Sequence, residues 1–119
     1  TSKAPAAIGP YSQGIDIGNL VFTSGQLPLN MDTGEMETEI KAATKASLSN
    51  VKAILAEAGL TMDNVIKTTV FISDMNNFAA MNEVYATFFG ETAPARSCVE
   101  VARLPKDVLV EIEAVAVRK

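Results

Sequence analysis

Between Glu37 and Ala58, the residues Ile40, Ala43, Ser47, Val51, Ile54, Leu55 and Ala58 recur at three- and four-residue steps. Lys41, Lys45, Lys52 and Glu57 take the opposite face. That period is a helix with one apolar stripe, and it commits the chain to building a surface for the stripe to lie on. Gly59 stands where a left-handed C-terminal cap belongs. On either side the pattern changes to short β-like runs. Gln13 to Ile17 and Leu20 to Ser24 are two of them, with Gly18-Asn19 between them as a two-residue hairpin signal. Gly25, Pro28, Asn30 and Gly34 punctuate a loop. Val65 to Ser73 is β-branched and aromatic and reads as a buried strand. A second helix is predicted from about Asn77 to Phe89, with Gly90 at its end. Its stripe of Phe78, Met81, Tyr85, Phe88 and Phe89 is expected in the core. Two more strands follow, Arg96 to Ala102 and Leu109 to Val117, joined by a turn around Leu104 to Asp107.

The order β-β-α-β-α-β-β predicts a two-layer α+β domain, with two helices on one face of a mixed sheet. With 119 residues, 48% of them hydrophobic, the chain can fill one core, so residues 1–119 are expected to form a single domain. The second sheet face is also apolar. Val99, Val101, Val115 and Val117 would not rest against water, and two helices cannot cover both sides. Self-association, with sheets packing together in a closed ring, is the simplest remedy.

Composition narrows the chemistry sharply. There is no histidine, which removes Ser-His-Asp and Cys-His catalysis and His-based zinc sites. The single cysteine, Cys98, removes internal disulfides and iron–sulfur clusters. No metal or cofactor is therefore expected. A net charge of −4 is a poor basis for sequence-independent nucleic-acid binding. No apolar run is long enough to span a membrane, and Thr1 to Tyr11 lacks the apolar core of an export signal. A reducing compartment, the cytoplasm, is the expected setting.

Only three arginines are present. Arg118 and Arg103 are expected at the surface, whereas Arg96 opens an apolar strand, where a charge needs a partner. Strand alternation places Arg96, Cys98 and Glu100 on one face. A hairpin between the last two strands, in an odd register about Pro105, would add Glu111 and Glu113 to that face. The result would be a guanidinium, one or two carboxylates and a thiol on a strand pair. It could be an ion pair that fixes register, or a site in which Arg96 grips a small carboxylate while Glu111 orients or deprotonates water. Tyr11 is a donor lid or a packed arm. Ser24-Gly25-Gln26 ends a strand with free backbone N–H groups or forms an ordinary turn. Asn82, polar on an apolar stripe, caps backbone or reaches a ligand. Cys98 reads as a plain buried thiol rather than a nucleophile.

The stretch Pro94-Ala95-Arg96-Ser97-Cys98-Val99-Glu100-Val101-Ala102-Arg103-Leu104-Pro105-Lys106-Asp107, with Val110-Glu111-Ile112-Glu113 after it, resembles the C-terminal signature of the RidA/YjgF family. Gly9-Pro10-Tyr11-Ser12-Gln13, Thr23-Ser24-Gly25-Gln26 and Lys67-Thr68-Thr69-Val70-Phe71 also match. The resemblance implies a homotrimer of the chorismate-mutase-like fold with clefts between subunits. It implies hydrolysis of reactive 2-imino acids and enamines, such as 2-aminoacrylate, to 2-oxo acids and ammonia, without a cofactor. Carried over by motif, Arg96 would bind the substrate carboxylate. Glu111, with the backbone carbonyl of Cys98, would position water, and Tyr11, Ser24, Gly25 and Asn82 would line the pocket. An imine carbon is already electrophilic, so the missing histidine and metal are no obstacle. A non-catalytic metabolite sensor, an endoribonuclease and a chaperone-like protein are the competing readings.

Overall fold

The computed structural model describes all residues 1–119. Seven strands and two α-helices run in the order β1 (Gly14–Asp16), β2 (Leu20–Thr23), β3 (Leu29–Asn30), β4 (Glu35–Met36), α1 (Ile40–Glu57), β5 (Val65–Ile72), α2 (Phe78–Ala86), β6 (Ala95–Glu100) and β7 (Val110–Val117). Five strands form one mixed sheet in the order β1-β2-β7-β5-β6. β3 and β4 make a separate small hairpin within the stretch expected to be loop.

The predicted hairpin is present: Gly14 pairs with Thr23 and Asp16 with Val21, and Gly18 takes φ +103° in the two-residue turn. The long helix starts at Ile40, where the Glu39 carboxylate accepts the Ala42 N–H at 2.9 Å. Its end is a Schellman motif. Gly59 sits at φ +78°, its N–H reaches Ala56 O at 2.9 Å, and Leu60 N–H reaches Leu55 O at 2.9 Å.

β2 and β5 both run antiparallel to β7, and β6 runs parallel to β5. The α1 crossover therefore steps over β7, and the α2 crossover joins two adjacent parallel strands. The apolar stripe of α1, including Leu48, Val51 and Leu55, packs on Val21, Val70, Ile112, Ala114 and Ala116 of the sheet. Each fully buried side chain of this kind contributes about 1.5–3 kcal/mol. Met81 and Tyr85 of α2 complete the core, with Phe88 and Phe89 packed against it.

Two expectations are overturned. β6 and β7 do not form a hairpin, because β5 lies between them. The turn around Leu104 to Asp107 exists, with Lys106 and Asp107 at φ +57° and +56°. It carries the chain across an occupied position rather than back onto its neighbour. The register then reads Arg96↔Thr68↔Ala114, so Arg96 and Cys98 lie on the helix-covered side. Glu111 and Glu113, which pair with Phe71 and Thr69, point from the other face. The shared face expected for Arg96 and Glu111 does not exist within one chain. The second correction concerns Phe78, which is 37% exposed and lies outside the core.

The helix-free face carries Ile15, Phe22 and Val99 at 51%, 40% and 43% exposure, with Phe71, Val115 and Val117 half-buried among them. No helix of the structure is long and apolar enough to cross a membrane.

Candidate functional site

The predicted site residues fall into two groups on opposite sides of the sheet. The first is built around Arg96 on the edge strand β6. Arg96 Nη1 donates to Asn82 Oδ1 at 2.7 Å. Its guanidinium carbon lies 4.8 Å from the centre of the Tyr85 ring and 5.5 Å from that of Phe78. The ion pairs of the chain are Lys41–Glu83, Arg103–Asp107 and Arg118–Asp16, so Arg96 has no carboxylate partner. A half-buried guanidinium held by a neutral amide and two rings keeps its charge uncompensated and most of its donors free. Asn82, open between two roles in the sequence, offers its Oδ1 to the arginine.

Cys98 shares this face. Burial pushes its thiol up, against an opposing pull from Arg96, and the net shift favours the neutral thiol. Its backbone has a separate use. Val101 N–H bonds to Ile72 O at 2.9 Å, which fixes the alternation along β6. In a parallel pair every second residue turns both backbone groups to its neighbour. Val99 and Ser97 therefore bond inward, and Cys98 presents its carbonyl to the free edge of the sheet.

The second group lines an open cleft of about 390 Å³ that brings together Tyr11, Ser24, Gly25, Pro105, Glu111 and Glu113. The Glu111 carboxyl is pushed above its ordinary value of 4.5, first by burial and then by the neighbouring Glu113 charge. It packs directly on Gly25. A Cβ there would stand 1.9 Å from Glu111 Oε2, so a larger residue would push the Glu111 side chain out of its present position.

The chain is fastened on both sides of this glycine. Ser24 N–H donates to Gln13 O at 2.9 Å, and Gln26 N–H to Ile112 O at 2.7 Å. Of the three N–H groups expected to be free, only that of Gly25 remains so. Ser24 Oγ donates to Ser12 O at 2.6 Å and ties the strand end to the N-terminal arm. Tyr11 is 47% exposed on that arm, and its hydroxyl accepts Ile8 N–H at 3.2 Å.

Residues missed from the sequence complete both groups. Gln13 Nε2 donates to the carbonyls of Thr1, Ala4 and Pro5 and clamps the arm that carries Tyr11. Phe78 and Tyr85 support Arg96. Their signal was available: Phe78, Asn82 and Tyr85 are spaced i, i+4, i+7, one face of a helix.

Comparison with known proteins agrees with this architecture. The family model described as Endoribonuclease L-PSP matches residues 1–118. A RutC family protein of Haemophilus influenzae is 62% identical over 100% of this chain and 95% of its own length. The 2-iminobutanoate/2-iminopropanoate deaminase of Escherichia coli is 58% identical over 100% of this chain and 95% of its own. The structure of E. coli TdcF with bound serine superposes with a TM-score of 0.96 at 57% identity, covering 100% of this chain and 96% of that one. On full-length identity, shared fold and the motifs around Arg96, Glu111 and Gly25, the chain belongs to the RidA/YjgF family.

Proposed function

We propose that this protein hydrolyses reactive 2-imino acids and their enamine tautomers, 2-aminoacrylate/2-iminopropanoate and 2-iminobutanoate among them, to 2-oxo acids and ammonia. The observation that carries the reading is the Arg96 guanidinium, half-buried and without any carboxylate of its own chain. It suits the α-carboxylate of a small 2-imino acid, which the planar fork can take through two parallel bonds. The serine bound to TdcF carries the same group.

Glu111 is the proton carrier in this reading. Water adds to the carbon of the protonated imine as Glu111 accepts one of its protons, giving a neutral carbinolamine. Glu111 returns that proton to the amino nitrogen, the C–N bond breaks as the hydroxyl proton passes to Glu111 and the carbonyl forms, and ammonia leaves with the 2-oxo acid. A carboxyl raised above its ordinary value is a stronger base than a solvated one and a competent acid afterwards. The Cys98 carbonyl and the Gly25 N–H serve as further fixed dipoles. Tyr11 and Ser24 shape the cleft wall.

Arg96 and Glu111 leave opposite faces of one sheet, so they act together only across two copies of the chain. The apolar helix-free face, with Phe22, Val99 and Ile15 exposed, supports a closed homotrimer with sites between subunits. Light scattering should report the mass of three chains, and a monomer would contradict the assembly. The endoribonuclease reading has little support from a chain of net charge −4.

The activity is tested by adding purified protein to a dehydratase that releases 2-aminoacrylate and following ammonia. Release faster than the spontaneous rate is expected, with or without chelator or added pyridoxal phosphate. A rate equal to the spontaneous one would leave a binding module as the better reading.

A further inference from the structure

We propose that one stripe of α2 is a seat for Arg96, with Phe78 and Tyr85 as positioning residues that hold the guanidinium through their ring faces. The proposal rests on the reading of Arg96 as the carboxylate anchor, and it concerns what keeps that anchor in place.

Phe78, Asn82 and Tyr85 follow one another at i, i+4 and i+7, so a single face of the helix meets the arginine three times. Asn82 Oδ1 takes one N–H at 2.7 Å, and the two ring centres lie 5.5 and 4.8 Å from the guanidinium carbon. Both distances are inside the range of cation–π attraction. The Tyr85 ring is itself fixed. Its hydroxyl is 2.7 Å from Thr68 Oγ1, and Thr68, 1% exposed, is the residue directly across the sheet from Arg96. The contacts close a loop: Arg96 beside Thr68 by backbone register, Thr68 to Tyr85 by hydrogen bond, Tyr85 to Arg96 through the ring.

Such a seat has a specific consequence for binding. A carboxylate counter-ion would hold the arginine equally well but would occupy the donors that substrate needs. Ring faces accept no conventional hydrogen bond from the fork, so they restrict the side chain while leaving its donors open. The side-chain freedom lost on binding substrate is then largely removed in advance. Phe78 is the informative position because its ring is partly exposed and contributes little to the core.

The test replaces Phe78 by mono-, di- and trifluorophenylalanine, which keep the size of the ring while draining the negative charge from its face. The dissociation constant for 2-oxobutanoate, a product of the proposed reaction, should rise stepwise along the series, by about 2- to 5-fold in total. KM should rise with it while kcat holds, because the carboxylate grip is used equally in ground and transition states. A purely structural ring would leave affinity flat along the series, and that result would overturn the seat. If the unsubstituted protein neither binds 2-oxobutanoate nor releases ammonia, the deaminase reading fails and this inference falls with it. Wild-type activity with a flat series removes the seat alone.

Discussion

Keeping charge while changing shape at position 96 separates the two roles open to an arginine on an apolar strand. Arg96→Lys retains the cation but loses the planar two-bond grip. Hydrogen bonds to charged groups are worth about 1.5–3 kcal/mol each, so losing one of two should lower kcat/KM by about 10- to 150-fold. Circular dichroism should report an unchanged fold, since no ion pair of the chain is broken. Glu111 behaves differently, because its chemistry and its stability oppose each other. Burial and Glu113 raise its folded-state pKa, so between the ordinary and the raised value the folded chain binds more protons than the unfolded one. Stability therefore falls as pH rises through that window and is greatest below it. Glu111→Gln removes the penalty: the variant should unfold at a higher temperature than wild type at neutral pH. The same change removes the proposed base, so kcat should drop by roughly 10²–10⁴. The wild-type kcat/KM should decline as pH falls through the raised value, and the Gln variant should lose that limb of the profile.

At the scale of elements, the features written in local chemistry were legible and those set by neighbours were not. The period of Ile40 to Ala58 and the glycine after it announced α1 and its cap. Gly59 holds φ +78° with open space around it, so Gly59→Ala meets no clash and tests the backbone alone. It should cost about 1–2 kcal/mol, read as a lower urea midpoint with unchanged slope. The hairpin at Gly18-Asn19 was legible for the same reason. β3 and β4 were not, because two-residue strands are too short to show alternation. The pairing of β6 and β7 misled because a turn between two strands reads identically whether they end as neighbours or with a third strand between them. What places β5 there is the α2 crossover, which makes β5 and β6 parallel and leaves the other edge of β5 to β7. The counter-charge argument for a shared face failed with it. Asn82 and two rings answer the arginine without a carboxylate, a solution the preference for charge pairing did not anticipate.

For the whole molecule, the sheet separates the two residues that the proposed reaction brings together. Arg96 lies at the free β6 edge on the helix side, and Glu111 lies over the Gly25 cleft on the other face. An assembly that covers the apolar face can bring the β6 edge of one copy to the cleft of the next, and the active unit is then an interface rather than a chain. This claim is open to one direct measurement. Arg96→Lys and Glu111→Gln proteins, each first assayed alone for its residual rate, are unfolded together in equal amounts, refolded into mixed assemblies, and assayed for ammonia release. If each site draws its arginine and its glutamate from different copies, random mixing restores both native residues in about a quarter of the sites, and ammonia release should recover toward that fraction of the wild-type rate. If both residues serve a site within one chain, no mixture can restore a complete site. Activity that stays at the level of the separate variants would contradict the account.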